Sequence, residues 1–169
     1  KLSIYAMKLN EPQNYLIKPL GGGEYNLSAE SGDCKFSKPA TIRGLAKLYT
    51  VSDADSLIYV GISQQPMSVR LNYGFKANGE SGYHGYKWKN LKRQLRLSVW
   101  TAQKDGSPVP LRELETVEAE VAFLCRQQFG QWPVYQHEIH FYPSDEGHRS
   151  AAGIIYSHAI VYKGMSLKG

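Results

Sequence analysis

The chain has 169 residues, 42% of them hydrophobic, which is enough for one domain to bury a core without disulfide bonds. No apolar run reaches the roughly eighteen residues of a transmembrane helix, and the stretch after Lys1 lacks the apolar segment of a signal peptide. The formal net charge of +5 excludes a strongly acidic protein and suits a polyanionic partner such as nucleic acid.

The cysteine content argues against a cysteine-rich metal or disulfide framework. Cys34 and Cys125 are too few for a four-thiolate zinc site, and they lack the close spacing of metal-binding pairs. We therefore expect reduced thiols, as in a cytoplasmic protein. Because no repeat, low-complexity tract or linker divides the sequence, we expect one domain over residues 1–169.

The first part of the chain favours β structure. Turn-forming residues interrupt residues 1–44, which predicts an extension made of short strands and loops. Two β-rich runs follow, at residues 45–51 and 57–62. The polar cluster at residues 52–55 separates them, and this pattern predicts an antiparallel hairpin.

Helical patterns dominate the rest of the chain. Pro66 favours a short helix over residues 67–75. Apolar residues spaced by three and four predict an amphipathic helix over residues 86–95 and a longer one over residues 111–129. The remaining predicted segments are strands at 97–102 and 134–142 and a last apolar segment at 151–162. The fold class expected from this order is α/β, with a small, mainly antiparallel sheet flanked by helices.

An ordered series of polar and aromatic residues runs through these elements. Its members, in chain order, are Tyr49, Tyr59-Val60-Gly61, Arg70, Glu118 or Glu120, and Pro133-Val134-Tyr135-Gln136. This series resembles the GIY-YIG nuclease family over residues 45–140, with residues 1–44 and 141–169 outside the resemblance. Leu48-Tyr49 stands where the family has Gly-Ile-Tyr, and Gln136 stands where it has asparagine.

The resemblance implies a site that hydrolyses DNA. In this family a tyrosine is the general base, an arginine binds the scissile phosphate, and one glutamate holds one divalent ion. By resemblance these roles fall on Tyr49, Arg70 and a glutamate of the long helix. The further site residues that it implies are Tyr59, Tyr73, His84 and Gln136.

The same residues suit the reaction on chemical grounds. Phosphodiester hydrolysis needs an activated nucleophile, a cation that stabilises the charged phosphate, and often a metal ion. Tyr49 can accept a proton if a nearby cation lowers its pKa from about 10. Arg70 can donate to two phosphate oxygens at once. A single carboxylate can hold Mg²⁺ (or Mn²⁺), which keeps most of its waters.

Two glutamates compete for the metal. Glu120 falls within the apolar arc formed by Val117, Phe123 and Leu124, where an unpaired carboxylate is costly. The family pattern of two apolar residues after the glutamate also fits it. We therefore predict Glu120 as the metal ligand, with Glu118, at the edge of the arc, as the alternative. His137 and His140 are rejected as a metal pair, since their spacing places them on opposite faces of the predicted strand.

The densest basic stretch lies in the predicted helix 86–95 and just after it, interleaved with Tyr86 and Trp88. Its members are Lys87, Lys89, Lys92, Arg93 and Arg96. We expect them to contact DNA phosphates, although a solvated helix face is the alternative. The predicted protein is a restriction-type or repair-type endonuclease, monomeric or homodimeric. The alternative is a non-catalytic nucleic-acid-binding domain that uses this basic surface.

Overall fold

A computed structural model describes residues 6–161 as an α/β fold. Its elements, in chain order, are β1 (Lys8–Leu9), β2 (Gln13–Gly21), β3 (Glu24–Ala29), β4 (Lys47–Asp53), β5 (Ser56–Ser63), α1 (Met67–Lys76), β6 (Leu95–Trp100), β7 (Ala102–Lys104), β8 (Ser107–Pro108), α2 (Leu111–Phe129) and α3 (Glu146–Val161). Lys1 and Tyr162, which were included in sequence predictions, lie outside the described residues.

Five strands form the main sheet, in the order β3-β2-β6-β4-β5, and every neighbouring pair is antiparallel. The expected antiparallel sheet flanked by helices is therefore confirmed. Strands β1, β7 and β8 form a second, smaller sheet. Because β6 lies between β2 and β4, strands β2 and β3 of residues 1–44 continue the same sheet as the predicted hairpin.

The hairpin of β4 and β5 places the two motif tyrosines. Tyr49 pairs with Gly61 and Val51 pairs with Tyr59 across the two strands. Since side chains alternate along a strand, Leu48 packs on one face of the sheet and Tyr49 on the other. Strand β5 is the last strand of the sheet, so its outer edge is open to other segments.

Helices cover both faces of the main sheet. Helices α2 and α3 pack on the face that carries Leu48 and Val60. Helix α1 covers the other face, together with the aromatic side chains of Tyr86 and Trp88. None of the described helices combines the length and apolar character that crossing a bilayer requires.

The ends of α1 and α2 follow from local chemistry. Helix α1 begins directly after Pro66, whose fixed φ suits a helix start. Helix α2 ends at Gly130, which adopts a left-handed φ of 77° that favours glycine. Both helices match their predictions, and α1 extends one residue beyond the expected end.

The predicted helix over residues 86–95 is wrong. Lys87–Asn90 form only a 3₁₀ turn, and strand β6 begins at Leu95. The apolar spacing reflects burial rather than a helix, because Trp88 covers the sheet and Leu95 lies within it. All six residues of β6 are buried between β2 and β4, so pairing on both edges favours the strand.

Two further segments differ from the prediction. The predicted strand 97–102 splits at Thr101 into β6 and β7. Residues 134–142 contain no strand. Instead the backbone N–H of Tyr135 donates to the carbonyl of Ile58 at 3.0 Å, so this segment runs irregularly along the open edge of β5. The last apolar segment is part of α3.

Candidate functional site

Three buried tyrosines form the centre of the site. Tyr49 and Tyr86 share a hydrogen bond of 2.7 Å between their hydroxyl oxygens. The Tyr59 ring lies 5.9 Å from the Tyr49 ring and 5.3 Å from the Tyr86 ring. Gly61 makes this packing possible, since a β carbon there would lie only 2.7 Å from the Tyr49 hydroxyl oxygen.

Arg70 extends from α1 over this tyrosine cluster. Its guanidinium carbon lies 4.8 Å above the centre of the Tyr86 ring, within cation–π range. Its Nη1 donates to the hydroxyl of Tyr83 at 3.2 Å. Within residues 6–161, no carboxylate forms an ion pair with Arg70. The positive charge is thus held in place by aromatic side chains and is available to an anion.

Lys47 fixes the start of the helix that carries Arg70. Its ammonium group is fully buried and donates to the carbonyl oxygens of Ile42, Leu45 and Gln65 at 2.8 to 2.9 Å. These bonds join the start of β4 to the turn before α1. The hairpin and the helix are therefore held together directly beside the site.

The electrostatics oppose the expected base role of Tyr49. Burial raises the pKa values of Tyr49, Tyr59 and Tyr86, although the Arg70 charge lowers them in part. The base role requires a cation near Tyr49, and Arg70 supplies that charge. Burial outweighs it, however, so the three hydroxyls stay protonated at neutral pH.

The structure places Glu118, the alternative metal ligand, within the electrostatic influence of Arg70, whereas the choice between Glu118 and Glu120 as metal ligand stays a prediction. Burial raises the pKa of Glu118 to about 8; Glu115 acts in the same direction, and the Arg70 charge opposes both. The Glu118 charge also acts on Tyr59. Side chains two positions apart on a helix point about 200° apart, so Glu120 faces away from Glu118.

The Glu118 side chain lies near enough to Arg70 for the two charges to act on each other. Helix α2 packs against β5, the edge strand of the sheet. A side chain on this helix can interact around that edge with groups that belong to the opposite face. Within the described part of the chain, the half-buried carboxylate of Glu118 forms no hydrogen bond or ion pair.

The side-chain amide of Gln136 is hydrogen-bonded to the backbone of β5. Its side-chain oxygen accepts from the backbone N–H of Val60 at 3.0 Å, and its side-chain nitrogen donates to the carbonyl of Val60 at 2.8 Å. The amide thus pairs with the edge of β5 as a neighbouring strand would. Both polar ends of the side chain are occupied, which argues against direct catalysis.

Tyr73 and His84 lie on the surface beside Arg70. Tyr73 is 61% exposed, and its ring stacks on Tyr83 at 4.8 Å with 12° between the planes. His84 is exposed, and its ring lies against Gly79. Tyr73 is therefore linked to Arg70 through Tyr83, whereas among residues 6–161 no hydrogen bond joins the His84 ring to Arg70 or Glu118.

The basic stretch does not form one continuous surface. Lys89 donates to the carbonyl of His84 at 2.8 Å, and Arg93 donates to Asp53 at 2.9 Å. Arg96 is buried in β6 and donates to the carbonyl of Ala54. Lys87 and Lys92 are exposed. The expected helix face is absent because no helix forms here. Three of the five cations are exposed, and one of these three, Arg93, is paired with Asp53.

Sequence analysis missed Tyr83, Tyr86 and His137 as site residues. The Tyr59 and His137 rings meet edge to face at 5.8 Å. The glycines around Tyr83 and Tyr86 were the available signal, since Gly85 and Gly82 allow the loop to fold onto α1 with φ values of 75° and 78°. His137 carried no such signal, because its placement depends on the pairing of Gln136 with β5.

His137 is neutral at pH 7. Burial lowers its pKa below the ordinary 6.5 and the Lys87 charge adds to this, while a hydrogen bond with the backbone of Gly85 opposes both. Its Nε2 is buried without a hydrogen-bond partner among the residues described. Burial therefore favours the uncharged form of the His137 imidazole.

A divalent ion fits this site only through a single carboxylate. Among residues 6–161, no three histidine, cysteine or acidic side chains form a metal-binding group. Near Arg70, Glu118 offers a partly buried carboxylate without a protein partner among the described residues, and hard ions such as Mg²⁺ accept one carboxylate with water and phosphate oxygens. The donor chemistry suits such an ion and excludes a closed structural zinc site.

Comparison with known proteins adds no relative. No protein-family model matches the chain, and no match was found among curated proteins or solved structures.

Proposed function

We propose that the chain is a divalent-metal-dependent endonuclease of the GIY-YIG type that hydrolyses phosphodiester bonds in DNA. One observation carries this proposal. Arg70 has no carboxylate partner and Glu118 has no protein partner among the described residues, yet the Arg70 charge lowers the pKa of Glu118, so the two groups lie near each other without forming an ion pair. A phosphate and its metal ion would satisfy both groups at once.

Arg70 binds the scissile phosphate in this proposal. The guanidinium donates to two phosphate oxygens and opposes the negative charge that grows in the transition state. The contacts with Tyr83 and Tyr86 orient it before substrate binds. Such preorganisation favours catalysis because the cation needs no rearrangement during the reaction.

Glu118 supplies the protein ligand for Mg²⁺ or Mn²⁺. A bound divalent ion would neutralise phosphate charge and lower the pKa of a coordinated water. Burial and the neighbouring Glu115 raise the pKa of Glu118 against the effect of Arg70, so a bound divalent cation would favour its ionised form. Glu118 thereby replaces Glu120 in the role that sequence analysis assigned.

The proton of the attacking water goes to His137 in this proposal. Burial lowers the pKa of its imidazole below 6.5, which favours the neutral form at pH 7, and its ring lies beside Tyr59. Tyr49 is protonated and fully buried, so it holds the cluster together through its bond to Tyr86. The assignment of the base differs here from the one that the family resemblance implies.

A non-catalytic nucleic-acid-binding domain is the second candidate. The complete burial of Tyr49 and the closed bond between Tyr49 and Tyr86 favour it. Such a domain would use Arg70 and the exposed lysines to bind phosphates without cutting them. It would need no metal ion.

A plasmid-nicking assay separates the two candidates. We expect supercoiled DNA to be cut with Mg²⁺ or Mn²⁺ and not with EDTA. Arg70→Ala should reduce the rate on the order of 10²-fold. Arg43→Ala, which removes an exposed arginine elsewhere on the chain, is the matched control and should cut like the parent. DNA binding without cleavage under any metal condition would establish the second candidate instead.

A further inference from the structure

Beside Arg70, the surface of α1 combines an open aromatic ring with positive charge. The Tyr83 ring is held by Arg70 on one side and is covered on one face by Tyr73. Tyr73 itself is 61% exposed, and within residues 6–161 Tyr83 is its only ring contact. The two rings form a short stack whose outer face is open to solvent.

The basic residues continue this surface along the same helix. Arg70, Tyr73 and Lys76 follow one another at intervals of three residues, so they are neighbours on the helix surface. Lys76 is exposed. A cation, an aromatic ring and a second cation therefore lie in a row that leads away from the proposed catalytic site.

The row ends at a turn made only of glycines. Gly21, Gly22 and Gly23 connect β2 and β3 with φ values of 86°, 63° and 81°. The Lys76 side chain approaches Gly23, and the Lys92 side chain approaches Gly21. The turn thus lies between two lysines and offers no side chain that would keep a sugar-phosphate backbone at a distance.

A polar pocket lies at this turn. It has a volume of about 380 Å³ and is lined by the glycine turn together with Lys76, Asn78, Lys89 and Asn90. No acidic side chain lines it. The amide and ammonium groups can donate to phosphate oxygens without repulsion from a neighbouring carboxylate.

We propose that this surface binds an unpaired nucleic-acid strand next to the cleavage site, with one base stacked on Tyr73 and its phosphates between Lys76 and Lys92. A ring face stacks on an unpaired base, and a basic path that follows it holds the backbone, which is how single strands are bound without sequence preference. A base inside a paired duplex already has stacking neighbours on both faces. The protein should therefore prefer DNA with an unpaired arm over an intact duplex.

This inference rests on the proposed function for the placement of the scissile phosphate on Arg70. Its test uses binding in EDTA, so that it does not depend on cleavage. The probes are a blunt DNA duplex and the same duplex extended by an unpaired oligothymidine arm. Affinity is measured for both by fluorescence anisotropy at one salt concentration.

We expect the parent protein to bind the armed duplex about tenfold more tightly than the blunt one. Tyr73→Leu should remove most of this preference, whereas Tyr73→Phe keeps the ring and should retain it. Circular dichroism shows whether each variant is folded, and the high exposure of Tyr73 makes both substitutions compatible with the fold. A 2-aminopurine placed in the arm should lose fluorescence on binding to the parent and not to Tyr73→Leu.

The two lysines are tested through salt dependence. Lys76→Gln and Lys92→Gln should each reduce the slope of log affinity against log salt on the armed duplex by about 0.7. Lys8→Gln, on the separate small sheet, is the matched control and should leave the slope unchanged. Equal affinity of the parent for both probes, or an unchanged preference in Tyr73→Leu, would overturn the inference.

The nuclease proposal and the strand-binding proposal can be refuted independently of each other. Stacking on Tyr73 without any plasmid nicking would support this inference and refute the nuclease. Metal-dependent nicking with no preference for the armed duplex would support the nuclease and refute this inference.

Discussion

The backbone nitrogen of Tyr86 donates to the carbonyl oxygen of Gly74 at 3.1 Å, and the Tyr86 ring occupies the space where a side chain on Gly74 would begin. A β carbon on Gly74 would lie 2.2 Å from an atom of that ring. Gly74 lies on the same helix as Arg70, whose guanidinium covers the Tyr86 ring. This contact therefore sets the distance between the Arg70 helix and the tyrosine cluster.

Gly74→Ala should disturb the site without touching a polar group. The added methyl group forces the Tyr86 ring away, and overpacking of this kind costs about 1–3 kcal/mol of unfolding free energy. Gly153→Ala is the matched control, because Gly153 also lies in a helix but a β carbon there meets no atom within 4 Å. Urea denaturation should show the control to be neutral or more stable by up to about 1 kcal/mol. Equal stability of the two variants would refute the close packing of Tyr86.

Glu118→Gln and Glu120→Gln should differ in cleavage. Loss of the Glu118 carboxylate removes the one anionic ligand proposed for the metal, and we expect cleavage with Mg²⁺ to fall on the order of 10²-fold or more. Glu120→Gln should cut at the parent rate, because its side chain points away from Arg70. Rates come from single-turnover cleavage of one labelled duplex. The reverse result would restore Glu120 as the ligand.

The pH dependence of stability in EDTA tests the surroundings of Glu118. Its pKa is raised in the folded protein to about 8, against 4.5 as the ordinary value. Between these pH values the folded state binds more protons than the unfolded state, so the unfolding free energy falls as pH rises from about 4.5 to about 8.

Glu118→Gln should abolish this part of the pH dependence. Its melting temperature in EDTA should exceed that of the parent above pH 8 and match it near pH 4, where the parent carboxyl is protonated in both states. Thermal scans across this range provide the measurement, with Glu120→Gln as the control. Parallel curves for parent and Glu118→Gln would show that Glu118 is well solvated.

The pH–rate profile separates the two possible bases. Since burial lowers the pKa of His137 below 6.5, activity should rise with pH through an acid limb below that value and then level off. His137→Gln should remove this limb and reduce the rate by about 10²-fold or more. Tyr49→Phe should lower the rate but keep the limb, because the Tyr49 hydroxyl stays protonated. A rise toward alkaline pH that disappears in Tyr49→Phe would instead identify Tyr49 as the base.

Gln136→Ala should lower the stability of the fold rather than remove a catalytic group. It removes two hydrogen bonds to Val60 and leaves the edge of β5 unpaired at that residue, which should cost about 1–3 kcal/mol of unfolding free energy. Gln64→Ala, at an exposed position, is the control and should be close to neutral. A variant that loses activity with unchanged stability would assign Gln136 a direct catalytic role.

The sequence by itself determined the elements whose signals are local. The β4–β5 hairpin follows from two β-rich runs around a polar turn, and α1 and α2 follow from Pro66, apolar periodicity and Gly130. Because these patterns depend only on residues within a few positions of each other, a single sequence is enough to recognise them. The order of Tyr49, Tyr59 and Arg70 was visible for the same reason.

Only the tertiary structure decided which groups meet. Residues 86–95 have helical spacing, but the pairing of β6 with β2 on one edge and β4 on the other outweighs it. Glu118 and Glu120 look equivalent in a helix, and only the packing of α2 against the edge of β5 brings one of them to Arg70. His137 reaches Tyr59 because Gln136 pairs with Val60 from 76 positions away. Such long-range contacts depend on burial and strand order, which local sequence patterns do not contain.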